Sequence, residues 1–145
     1  MSDRYLFRGK RTDNGEWAYG YLIMCKYTRN DNGNLYYVTK PKIVPVGNIG
    51  EAEYDGDGNY YEYEVIPETV GQCTGLQDKN GKRIFDGDIT GHRSNYSGNM
   101  VIAVVKYEDG CFLAMTDRNS GFNLSDKIEV IGNIHDNIEV LEEER

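Results

Sequence analysis

The feature that most constrains this chain is its punctuation. Asn-Gly and Asp-Gly pairs stand between short runs in which apolar and polar residues alternate. Such pairs tolerate the positive φ of a tight hairpin turn, and alternation of period two gives a strand one inward face. Trp17, Tyr19, Tyr21 and Ile23 recur at spacing two, with Ala18, Gly20 and Leu22 between them, which predicts a strand with an aromatic face. Residues 5–8 read as its partner across the turn Thr12-Asp-Asn-Gly15. A second turn cluster over 29–34 leads into a predicted strand over 35–39. Pro41 and Pro45 are expected to break that ladder, because proline donates no backbone hydrogen bond. Residues 47–59 read as a mobile acidic loop, followed by a strand wet on one side in which Tyr61, Tyr63 and Val65 alternate with Glu62 and Glu64.

Beyond Pro67 the spacing becomes regular. Strands are predicted over 70–74, over 83–90 with an internal bend, over 100–107, over 111–115 and over 128–134. Turns fall at 77–81 and at Glu108-Asp-Gly110, a long loop runs from His92 to Gly98, and another loop starts at Asn119. Met100 to Tyr107 is the most apolar run and reads as a central strand. Residues 137–144 suit a short helical turn. The expected fold is mainly β, with N-terminal antiparallel strands, a small SH3-like β-barrel in the C-terminal part and little helix. The expected organisation is an N-terminal β lobe over 1–66, a barrel-like domain over 67–134 and an acidic tail over 135–145.

Composition narrows the class. With 145 residues the chain can bury a core without staples, and 17 glycines with 12 tyrosines fit strands and turns. No apolar run reaches the length of a spanning helix, and residues 1–11 lack the apolar segment of a signal peptide. Cys25, Cys73 and Cys111 are too scattered for a disulfide framework or a zinc site. A soluble protein of a reducing compartment, the cytoplasm, is the expectation, without membrane partners. Net charge is −8, which opposes a polyanion binder. The charge is segregated, however. Arg4, Arg8, Lys10 and Arg11 are basic, Glu51 to Glu68 contains no Lys or Arg, and residues 141–145 are acidic again. Such segregation reads as solvated surface, with pairing to a basic partner or between subunits as the rival.

Asp55-Gly-Asp-Gly-Asn59 starts like an EF-hand loop, but Tyr60 and Ile66 stand where glycine and glutamate are required. Asp86 and Asp88 flank Gly87 and would share one face of a continuous strand, where they could grip a metal. A turn aspartate beside a bend at Gly87 is the simpler reading. His92 and His135 lie in no recognisable nucleophile setting, and 71–75 is not a dinucleotide fingerprint. No catalytic, cofactor-binding or metal-ligating residues are assigned, and no cofactor is expected.

The segments Phe7-Arg-Gly-Lys10, Trp17-Ala-Tyr-Gly-Tyr21, residues 69–81, Ile84-Phe-Asp-Gly-Asp-Ile89 and 129–134 occur in an order that resembles the YopX family. These are small proteins of phages and prophages. The stretch TGLQDKNGKRIFDGDI carries most of the likeness, while residues 29–63 look particular to this chain. The resemblance implies a mainly β fold with a barrel-like C-terminal part, and no activity or catalytic residues that carry over. The leading expectation is a non-enzymatic phage accessory module that binds itself and a phage or host protein. A second reading is nucleic-acid binding through Lys79, Lys82, Arg83, Arg93 and Tyr96, or its inverse, acidic mimicry of DNA. A third is a metal-dependent enzyme using Asp86 and Asp88.

Overall fold

The structure is a computed structural model that describes residues 3–46, 54–117 and 120–143. Glu51, Glu53 and the rest of 47–53, the loop start at Asn119, and Glu144 with Arg145 lie outside the described residues. The chain divides into two compact units, Tyr5–Gln72 and Cys73–Arg145 with Met1–Arg4. The boundary falls within a strand, between Gln72 and Cys73.

The first unit is an antiparallel sheet of β1 (Phe7–Lys10), β2 (Trp17–Asp31), β3 (Asn34–Pro45), β4 (Tyr63–Glu64) and the first residues of β5 (Gly71–Gln77), in the order β4-β3-β2-β1-β5. Its register runs Phe7↔Gly20 to Lys10↔Trp17 between β1 and β2, and Gly20↔Pro45 to Asp31↔Asn34 between β2 and β3. The buried cluster is Ala18, Ile43 and Val65, with Phe7, Leu22, Tyr63 and Val70 packed against it. Gly20 is fixed by close approach: a Cβ there would meet the carbonyl oxygen of Val44 on the paired strand. The basic N-terminal cluster is partly consumed locally. Arg8 is buried with its guanidinium 4.7 Å from the Trp17 ring, and Arg11 is paired with Asp13 at 2.6 Å.

Several sequence expectations need correction here. The strand expected over 35–39 runs on through Pro41 to Pro45. Pro41 is accommodated because β4 pairs β3 only at Lys42 and Ile43, so no ladder bond is required of it on that side. Its carbonyl still accepts the Val65 N–H at 3.2 Å. Residues 3–5 form a 3₁₀ turn instead of a strand start, and the strand expected over 61–65 shrinks to β4.

In the second unit the end of β5 pairs with β6 (Arg83–Phe85). A five-stranded antiparallel sheet follows, built from β7 (Asp88–Arg93), β8 (Met100–Glu108), β9 (Cys111–Met115), β10 (Gly121–Asn123) and β11 (Glu129–Asn133), in the order β10-β9-β8-β7-β11. The sheet is open: β10 and β11 are its edges and no barrel closes among the described residues. A helical turn, α1 (Ile138–Glu143), ends the described chain. The core is Ile84, Val105, Ile128 and Val130, with Phe112, Phe122 and Leu124 against it. The segment expected as one bent strand over 83–90 is two strands, β6 and β7, separated by a turn at Asp86-Gly87. β7 reaches Arg93, so His92 lies in a strand opposite Val101 and not in a loop. β10 occupies part of what reads as a loop in the sequence.

Gly20→Ala is expected to force β2 from β3 and to cost on the order of 2–3 kcal/mol, the range of core overpacking. Urea unfolding checks it, the midpoint falling well below that of the parent protein.

Candidate functional site

The stretch TGLQDKNGKRIFDGDI builds a corner between β5, β6, β7 and β11. Asp78 is its anchor. The N–H groups of Asn80 and Lys82 both donate to Asp78 Oδ1 at 2.9 Å, and the N–H of Val130 in β11 donates to Oδ2 at 2.9 Å. The backbone repeats the linkage, with Lys79 N–H donating to the Ile128 carbonyl at 2.9 Å and Asp78 N–H to the Lys82 carbonyl at 2.8 Å. The carboxylate is only 5 % exposed. Burial pushes its pKa up, but the Val130, Lys82 and Asn80 donors and the Lys82 charge outweigh burial and hold it below the usual carboxylate range.

The second half of the stretch follows the same logic. Gly87 has φ +90°, which closes the β6–β7 turn, and its N–H donates to the Val105 carbonyl at 2.9 Å. Asp88 is 1 % exposed and its Oδ2 accepts the Phe85 N–H at 2.7 Å. Ile84 and Ile89 are fully buried. The turn at Gly87 removes the geometry on which the paired-carboxylate reading rested: Asp86 precedes the turn, Asp88 opens β7, and no single strand face carries both. Asp55 likewise spends its Oδ1 on the N–H groups of Asp57 and Asn59, at 2.8 and 2.9 Å, inside its own turn. Among the described residues no three His, Cys, Asp or Glu side chains gather as a metal would need.

The five residues expected as nucleic-acid contacts all fall in the second unit. Arg83 is paired with Asp3 at 2.9 Å. Lys82 belongs to the Asp78 turn, and Tyr96 is fully exposed on the turn after β7. Lys79 and Arg93 do come together. They line a recess of about 480 Å³ with His92, Phe122, Lys127 and Glu129. The His92 ring meets Phe122 edge-on at 4.8 Å, and its Nδ1 is buried without a hydrogen bond. His135 sits apart, in the turn after β11.

Sequence reasoning missed one exposed surface, the outer part of β2 and β3. β1 pairs β2 only as far as Gly20, and β4 pairs β3 only at Lys42 and Ile43. Beyond those positions β2 and β3 continue as a two-stranded ribbon to the Asn32-Gly33 turn, with no further strand on either edge among the described residues. Met24, Tyr27, Leu35, Tyr36 and Tyr37 are exposed along it, Leu35 by 72 % and Tyr37 by 69 %. Lys26 lies 4.1 Å from the Tyr37 ring, while Lys40 and Lys42 at the base pair with Glu64 and Glu62 at 3.3 and 3.4 Å. The available signal was the adjacent pair Tyr36-Tyr37, which puts a ring on each face of one strand. A strand with one buried face alternates instead.

A sequence profile described as YopX protein matches residues 6–142. No curated protein matches the chain. Among solved structures it is similar to the crystal structure of protein EF1440 from Enterococcus faecalis, at 22 % identity over 93 % of this chain and 96 % of that one, with a TM-score of 0.47.

The folded pKa of Asp78 is depressed, so its stabilisation is complete above the unfolded carboxylate range, near pH 4, and is lost as pH falls through the folded value. Asp78→Ala strands buried donors and is expected to cost on the order of 3 kcal/mol at neutral pH. Thermal melts between neutral and acidic pH check both effects: the parent protein loses stability towards acid, and Asp78→Asn loses less over the same range.

Proposed function

The chain belongs to the YopX family, and we propose that this member is a non-enzymatic protein-interaction module that associates with a second copy of itself through the β2–β3 ribbon. The observation that carries this reading is the ribbon's double exposure. Both faces carry large apolar side chains, and among the described residues no strand flanks either edge. A two-stranded ribbon alone is marginally stable in water, and gains stability when another surface covers it. Its open N–H and C=O groups can accept an added strand, and its tyrosines are the side chains that anchor interfaces at low entropic cost.

Charge also favours the assignment. With Lys40 and Lys42 engaged at the base, Lys26 and Arg29 remain towards the tip of a ribbon in a chain of net charge −8. A second copy offers the acidic surface that those cations complement. The family resemblance adds a phage or prophage setting, in which the module serves as a cytoplasmic accessory protein whose further partner is a phage or host protein.

Light scattering over a dilution series tests self-association. The expected result is a mass above that of the 16.5 kDa chain, decreasing on dilution, and a monomer for Leu35→Ser/Tyr37→Ser at every concentration. A parent protein that stays monomeric at high concentration contradicts the proposal.

A further inference from the structure

The recess beside β7 has a composition at odds with its surroundings. In a chain of net charge −8, it gathers Lys79, Arg93 and Lys127 against a single carboxylate, Glu129. Glu129 is already engaged, with Lys79 Nζ and the Asn80 side-chain amide each 3.3 Å away. Arg93 Nη1 donates to the Gly98 carbonyl at 3.1 Å, which steadies the guanidinium. Lys127 has no ion pair among the described residues. Among the described residues the rim therefore carries a net positive charge.

His92 and Phe122 supply a second kind of chemistry. The His92 imidazole lines the recess with Nδ1 turned into the protein, where it has no hydrogen-bond partner. A proton on Nδ1 would be a buried, unsatisfied donor, so the neutral ring carries its proton on Nε2. That nitrogen is the one left to face the recess, as a donor. Phe122, held edge-on against the same ring, adds an aromatic surface.

We propose that this recess binds a sugar phosphate ester that also bears an aromatic base, that is, a nucleotide, free or within a single strand. Arg93 and Lys127 meet the phosphate oxygens, as guanidinium and ammonium groups do by charge-assisted hydrogen bonds. His92 Nε2–H donates to the ligand, and the base lies against Phe122, a contact that every base can make through its π-face. Net negative charge elsewhere repels a long polyanion, so affinity depends on this local site and weakens with salt. The recess lies wholly in the second unit, while the ribbon belongs to the first, so either assignment stands if the other fails.

Amide chemical-shift titrations with inorganic phosphate, AMP and oligothymidylate at low salt test the site. Saturable shifts are expected at Gly91 to Arg93, Phe122 and Lys127 to Glu129, with AMP binding roughly tenfold tighter than phosphate. The double variant Arg93→Gln/Lys127→Gln alters two exposed side chains and is expected to weaken AMP roughly tenfold or more, while Lys106→Gln changes nothing. Equal affinity for AMP and the oligonucleotide identifies the ligand as a free nucleotide, and a much tighter oligonucleotide identifies a strand. The proposal is overturned by the absence of saturable shifts, by shifts that the double variant leaves intact, or by phosphate binding as tightly as AMP.

Discussion

One carboxylate organises the second unit. Asp78 sits at the end of β5, accepts two N–H groups from its own turn and a third from β11, and thereby joins neighbours in sequence to a strand some fifty residues away. A buried carboxylate is tolerated only when its lone pairs are met, and here backbone donors meet them. Asp88 repeats the device on a smaller scale at the β6–β7 turn, through the Phe85 N–H. With both aspartates so engaged and Ile84 and Ile89 in the interior, the stretch most typical of the family is occupied in holding strands together.

That outcome explains how much was legible beforehand. Turn chemistry is local, so Asn80-Gly81 and Asp109-Gly110 could be read directly, and both glycines have positive φ. Period-two alternation likewise exposed β2, and a continuous apolar run exposed β8. Features set by long-range geometry were hidden. Pro41 looked like a breaker because nothing local shows that its neighbour strand begins one residue later. His92 looked like a loop residue because its strand depends on pairing with Val101. The recess joins residues far apart in sequence: Phe122 and Lys127 reach Lys79 and Arg93 only through the order of the sheet.

The same reasoning separates the surfaces available for function from the residues that hold the fold. Asp55 and Asp88, two of the acidic residues that suggested metal chemistry, accept backbone donors in their own turns. Two surfaces contrast with them among the described residues, the exposed apolar side chains of the β2–β3 ribbon and the cationic rim beside His92. An exposed, unpaired strand edge is a liability in an isolated protein, and proteins normally cover or charge such edges. Here Lys26 and Arg29 charge it in part, while Leu35 and Tyr37 stay open.

Amide hydrogen exchange, followed residue by residue at low and at high protein concentration, tests this division most directly. The account predicts that the amides of Lys82, Phe85 and Val130 exchange only through global unfolding at either concentration. It also predicts that the ribbon amides of residues 22–31 and 34–40 exchange fast in dilute solution and slow markedly when the protein is concentrated. Rapid exchange at Val130 and Lys82, or ribbon amides protected equally at both concentrations, would contradict it.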